Sequence, residues 1–230
     1  MATRFYFPRV NTPPAAFQID GALNGYWDSE RATTTALMVT SKTGFDEEPT
    51  AANSWTHTSP AGSDPQKAMF GQWVSPALGA QTISGDIRGV FKSGVITSGR
   101  TVRADCRVYV VDSTGAWVAT LYAGDTTAAG TTFVLIGTYT TRYYPSAGAD
   151  TLTSYACANN DRIVVELGCR VHSASSASVG INVGVDTYTD ASDSESGTGF
   201  ITGWFEFANT LSWATAGGSG VGSRVIVGTH

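Results

Sequence analysis

Val102-Arg103-Ala104-Asp105-Cys106-Arg107-Val108-Tyr109-Val110 places apolar or small residues at every even position and begins the odd ones with Arg103, Asp105 and Arg107. Side chains of a strand point alternately to its two faces, so this alternation predicts a half-buried β-strand. Asp112-Ser113-Thr114-Gly115 then supplies turn chemistry, and Ala116–Tyr122 returns as an apolar run, which predicts a hairpin. Outward from this unit, Ala36–Thr40, Ala68–Val74, Ile83–Phe91, Phe133–Tyr139 and Ile163–Leu167 are apolar runs of strand length. Ile181, Val183, Val185 and Thr187 alternate with Asn182, Gly184 and Asp186, giving a one-sided strand. Phe200–Phe207 is apolar on both faces and is expected to be buried on both, and Val225–Val227 suits a closing strand. Helical periodicity is missing except over Asp64–Phe70, where Asp64 as cap and Pro65 at the first position suit a turn or two. Short strands with turns between them, about eight to ten in all, predict an all-β fold, a β-sandwich of jelly-roll type.

The chain has 230 residues, 42% hydrophobic but only 14% charged, with 26 Gly and a formal net charge of -5. Charge at this level leaves a polar but neutral surface, suited to burial against neighbouring subunits. Basic residues are scattered, so no footprint for nucleic acid is present. No segment approaches the ~20 apolar residues that span a bilayer. Met1–Pro8 lacks the basic and apolar regions of a signal peptide, so synthesis in the cytoplasm is expected. Cys106, Cys157 and Cys169 are an odd number without framework spacing, and Cys106 and Cys169 sit in apolar strand patterns as small hydrophobes. Three regions follow: an extended arm over 1–25 containing Pro8, Pro13 and Pro14, a β-sandwich over 26–213, and a Gly/Ser-rich segment over 214–230.

No catalytic constellation emerges. There is no G-x-S-x-G elbow, and His57, His172 and His230 stand in unrelated contexts. No His/Cys spacing suits zinc. The acidic stretches Asp186, Asp190, Asp193, Glu195 and Asp46, Glu47, Glu48 lack the ligand order of a calcium loop and read as solvated loops, so no metal is expected. Gly217–Gly222 has no strand before it and no helix after it, which argues against a phosphate loop and for a linker. No cofactor is expected. Glu166 alternates outward on its strand and is expected to answer a nearby Arg.

The aromatic residues carry more information. Trp117 and Trp204 lie within strand patterns and are expected in the core. Trp27, Trp55, Tyr143 and Tyr144 lie in loop-like surroundings and are candidates for stacking on glycans.

Ala2-Thr3-Arg4-Phe5-Tyr6-Phe7-Pro8, Tyr26-Trp27, Trp73–Leu78, Gln81–Gly85, Asp161–Gly168 and Trp204–Phe207 together resemble, in order, an uncharacterised family from tailed phages and prophages. The resemblance reaches from the opening residues to about Phe207. It implies a virion protein and no known active site: a capsid decoration protein or a neck or tail accessory, partnered by the major capsid or other virion proteins, as a homo-oligomer for which a trimer would suit threefold sites. A free arm of Arg4, Phe5, Tyr6 and Phe7 would expose three aromatics in a monomer, so these residues are the candidates for anchoring to a neighbouring subunit. The rival reading is a carbohydrate-binding module adsorbing to host glycans.

Overall fold

The computed structural model describes residues 2–7, 25–30, 35–41, 54–59, 66–95, 102–124, 132–133, 140–144, 150–171, 177–182 and 203–215; at 29–30, 54–59, 66, 68, 70, 90–95, 102–104, 132–133, 140–144, 169, 171 and 177–182 it describes the backbone alone. These residues form sixteen strands and no helix. One sheet runs in the order β1 (Thr3–Tyr6), β16 (Trp204–Phe207), β7 (Asp86–Val95), β15 (Ala177–Asn182), β4 (Ser54–Ser59). β11 (Thr140–Tyr144) and β12 (Asp150–Thr151) pair along the other edge of β7. The second sheet runs β10 (Thr132–Phe133), β8 (Val102–Val111), β14 (Arg162–Val171), β5 (Gln66–Val74), β2 (Ser29–Glu30). β9 (Trp117–Tyr122) pairs with β8, and β3 (Thr35–Leu37) lies parallel to β5. A small ribbon of β6 (Gln81–Ile83) and β13 (Tyr155–Cys157) completes the set.

The two large sheets pack face to face. Phe5, Ile87, Phe205 and Phe207 from the first share one buried cluster with Trp73, Cys106, Val108, Val110, Ile163, Val165 and Leu167 from the second. Phe7 joins the layers: its ring lies 5.6 Å from Phe205 on one side and 4.8 Å from Trp73 on the other. This is the β-sandwich that the alternating segments predict.

The β8–β9 hairpin forms as expected, with Asp112 bonded by its carbonyl to the Gly115 N–H and by its carboxylate to Thr114 and Ala116. Other expectations need correction. The segment Asp64–Phe70 is not helical: its described part, from Gln66, belongs to β5, whose register along β14 over eight pairs outweighs a single capping signal. The opening residues are not a free arm. β1 pairs antiparallel with β16 from Thr3↔Phe207 to Tyr6↔Trp204, Tyr6 bridges to Val39, and the Leu211 N–H donates to the Thr3 hydroxyl. The sandwich therefore begins at Thr3. At the other end Ala214, assigned to the Gly/Ser-rich segment, donates its N–H to the Ala77 carbonyl. Pro8, Pro13 and Pro14, the stretch Val183–Thr187, most of Phe133–Tyr139 and the segment 216–230 with Val225–Val227 lie outside the described residues.

Candidate functional site

The concentration of ionisable chemistry lies on the outer face of the second sheet, the side turned away from the main core. In β8 and β14 the odd and even positions divide as the alternation requires: Cys106, Val108, Ile163, Val165 and Leu167 face inward, while Asp105, Arg107, Tyr109, Val164 and Glu166 face out. Yet that outer face is buried. Tyr26-Trp27 crosses it as a strap, tied at its end by the Asp28 N–H to the Lys67 carbonyl and by the Lys67 N–H to the Asp28 carboxylate.

Beneath Trp27 sits Glu166. Its carboxylate accepts hydrogen bonds from Trp27 Nε1 (2.8 Å), Gln72 Nε2 (2.9 Å) and the Tyr109 hydroxyl. Gln72 in turn accepts from the Thr35 hydroxyl at 3.0 Å. The Tyr109 hydroxyl is held protonated well above its ordinary range, first by burial and then by the adjacent Glu166 charge. A hydroxyl in that state donates; it does not serve as a base.

Beneath Tyr26 sits Asp105. It accepts from the Tyr26 hydroxyl at 2.7 Å and from Arg170 Nη2 at 3.0 Å. Burial pushes the Asp105 carboxyl above its usual range, outweighing the Tyr26 hydrogen bond and the Arg170 charge that pull it down. Tyr26 is pushed upward as well, by burial and by Asp105. Lys67 Nζ lies over its ring at 4.1 Å and the Arg107 guanidinium at 4.3 Å, cation–π contacts that help hold the strap.

Gly124 closes this corner with φ +89, and a Cβ there would stand 2.8 Å from Asp105 Oδ1 and 3.0 Å from the Tyr26 hydroxyl. Gly124→Ala is expected to cost about 1–3 kcal/mol through backbone strain and the clash, read as a lower urea midpoint at unchanged slope.

A second cluster lies on the outer face of the first sheet. The Arg4 guanidinium stacks over the Trp204 ring at 3.8 Å and pairs with Glu206 at 2.8 Å, while Arg88 pairs with the other Glu206 oxygen at 2.7 Å. Burial raises the Glu206 pKa, but the hydrogen bonds and charges of Arg88 and Arg4 outweigh it, so the net shift is downward. A carboxyl with a lower pKa in the folded chain contributes stability that is complete above its unfolded value and lost as pH falls through the folded one. Asp105 has the reverse sign: its contribution is present below the unfolded value and lost as pH rises through its raised folded one. The melting temperature is therefore expected to fall in acid through Glu206, and Glu206→Gln is expected to flatten that acid limb.

The sequence candidates separate on this framework. Phe5 and Phe7 are fully buried in the core, and Arg4 and Tyr6 are partly buried on the outer face beside Trp204, so the premise of three exposed aromatics is not met. Trp27 is 6% exposed with its N–H committed to Glu166, which removes it as a glycan platform. Trp55 lies in β4 opposite Ile181, and Tyr143 and Tyr144 lie in β11 opposite Val90 and Gly89: strands, not loops. Glu166 is turned outward as expected but is buried rather than exposed; Arg107 is its register partner on β8. Trp204 is buried as expected, whereas Trp117 is 48% exposed.

Cys106 and Cys157 are buried free thiols, and burial, followed by the Asp161 charge, pushes Cys157 up to about 12. The described residues contain no group of three or more His, Cys, Asp or Glu placed to hold a metal ion. His57 lies in β4 with only its backbone described. Asp46, Glu47, Glu48, His172, Asp186, Asp190, Asp193, Glu195, Gly217–Gly222 and His230 fall outside the described residues, as does the side chain of Cys169. The strap network was missed by sequence reasoning. Its one visible signal was the pair of acids, Asp105 and Glu166, inside long strands.

No protein-family model matches the chain, and no curated protein matches it. Among solved structures it is similar to infectious bursal disease virus of the Gx strain, at 12% identity and a TM-score of 0.24 over 72% of this chain and 35% of that one. The Gt strain gives 10% identity and 0.24 over 72% and 37%. The VP2 subviral particle of the same virus gives 10% and 0.23 over 69% and 36%. The chain spans about a third of the length of the solved structures it matches. Identity this low with TM-scores this small defines neither a fold family nor a function for it.

Proposed function

We propose that the protein is a structural component of a phage particle that works by adhesion: a capsid decoration protein first, with a neck or tail accessory as the same chemistry placed elsewhere on the virion. On this reading the sandwich is of jelly-roll type, the partners are the major capsid or other virion proteins, and the assembled state is a homo-oligomer.

One observation carries the reading. Every segment of the tailed-phage resemblance falls on packing machinery. Thr3–Phe7 supplies β1 and two core rings, and Tyr26-Trp27 is the strap. Trp73–Leu78 ends β5 and crosses to β6, which holds Ile83. Asp161–Gly168 supplies the buried centre of β14, and Trp204–Phe207 is β16. The shared pattern thus specifies a scaffold, and the buried Glu166 within it is spent on holding the strap. A rigid scaffold with few charges acts through the surface it presents, and binding that favours the assembled particle stabilises it by linkage.

The test is to add the purified full chain to phage particles assembled without it and follow heat-induced release of their DNA. A higher release temperature that saturates with added protein supports the reading; sedimentation of the particles free of the protein overturns it.

A further inference from the structure

The strap meets the second sheet through polar contacts. Trp27 Nε1 donates to Glu166, and the Tyr26 hydroxyl donates to Asp105 while accepting from Arg170 Nη2 at 3.0 Å. Lys67 and Arg107 add their cations over the Tyr26 ring. Water takes over partners of this kind when a contact opens, so each contributes far less net than gross. The interlayer core is different: Phe5, Phe7, Trp73, Phe205 and Phe207 pack ring against ring, and parting them would leave a void. The face beneath the strap, with Asp105, Arg107, Glu166 and Arg170, consists of groups that water accepts.

Gly25 stands at the head of the strap with φ +64, and a Cβ there would meet nothing within 4 Å. Space does not require a glycine at this position; the left-handed backbone does. The far end is tied by two bonds, from the Asp28 N–H to the Lys67 carbonyl at 2.9 Å and from the Lys67 N–H to the Asp28 carboxylate at 2.8 Å. From a left-handed glycine at one end and polar contacts along the rest, we infer that the strap is a lid. Residues 25–28 lift as a unit from a sandwich that stays folded, and they lift more readily as pH rises.

The pH dependence follows from the groups around the strap. β8 presents Asp105, Arg107 and Tyr109, β14 presents Glu166 and Arg170, β5 presents Lys67, and the strap itself carries Asp28. Burial pushes the Tyr26 and Tyr109 hydroxyls and the Asp105 carboxyl above their ordinary ranges, and the adjacent Asp105 and Glu166 charges add to the rise in the two tyrosines. Burial pulls Arg170 down, but Asp105 and Tyr26 outweigh it and the net shift is upward. The closed lid therefore keeps protons that the open lid releases. A group raised in the closed form stabilises it fully below the open-form value, and that stabilisation is lost as pH rises through the closed-form one. Asp105 gives this effect above the usual carboxylate range and Tyr26 above about pH 10. Losing the Tyr26 proton also removes its bond to Asp105 and sets two anions side by side.

The inference stands apart from the adhesive reading, and its tests use the isolated full chain. In amide hydrogen exchange read by NMR, the Asp28 amide is expected to exchange at least about tenfold faster, after correction for intrinsic rates, than those of Val165 and Leu167 within β14. It is also expected to respond little to low urea, the mark of a local opening. Gly25→Ala is expected to speed Asp28 exchange about fivefold or more, since alanine resists the left-handed backbone, and Gly25→Asn to change it less. From about pH 8 to about pH 11, tryptophan emission is expected to move to the red while the far-UV circular dichroism holds, and Trp27→Phe to lose that move.

Asp28 exchange that matches β14 in rate and urea dependence overturns the inference, because the strap then leaves only with the whole fold. Parent-like Asp28 exchange in Gly25→Ala overturns it by removing the hinge. Emission that stays fixed until the circular dichroism is lost overturns it by removing the response to pH.

Discussion

Phe7→Ala is expected to cost about 3–5 kcal/mol, and Phe5→Ala a similar amount. Both rings are fully buried, and Phe7 touches Phe205 of one sheet and Trp73 of the other, so its removal opens a void between the layers. Phe5 makes edge contacts with Phe207 and with Trp213. Against a typical stability of about 5–15 kcal/mol the double variant is expected to lose cooperative unfolding altogether. Deletion of residues 1–8 is expected to do the same, since it also strips the β1 pairing from β16. Urea unfolding of the single variants followed by tryptophan fluorescence checks this. If Phe5 and Phe7 belonged to an arm, both would unfold at the parental midpoint, and the deletion would leave the sandwich intact.

Glu166→Ala is expected to cost about 3–5 kcal/mol, the penalty of leaving buried partners without their acceptor. The Trp27 indole N–H, the Gln72 amide and the Tyr109 hydroxyl all aim at this carboxylate, and none of them faces water that would replace it. Glu166→Gln keeps one acceptor oxygen but adds two donors and removes the charge, so a smaller loss of about 1–3 kcal/mol is expected. The strap should report the change directly: in Glu166→Ala the Trp27 fluorescence is expected to shift to the red as the indole reaches solvent. A midpoint shift without any change in fluorescence would mean that Glu166 does not hold the strap.

The sequence made the strands legible and the second covering layer illegible. Alternation in Val102–Val110 is a local property of the backbone, and β8 occupies Val102–Val111. What the alternation cannot reveal is what lies over the polar side. Asp105 and Arg107 look like a solvent face until Tyr26, 79 residues earlier, is placed on top of them. Glu166 is covered by Trp27 across 139 residues.

The same limit explains the opening segment. Arg4, Phe5, Tyr6 and Phe7 carry a period of two that suits a strand, but the partner, β16, lies about 200 residues downstream. The neighbouring prolines therefore weighed toward an arm. Asp64-Pro65 is the reverse case, a sound local capping signal overridden by the pairing of Gln66–Val74 with β14. Trp117 shows that strand membership does not fix burial. It sits where the β8–β9 register shifts, opposite Val111 and at the end of the sheet, where nothing described covers it.

Whether this scaffold serves a particle is decided most directly by a cryo-electron-microscopy map of the intact virion. The expected result is the sandwich at repeated sites on the head, neck or tail, in contact with a neighbouring protein. A complete map whose every density is accounted for by other chains would contradict the adhesive function.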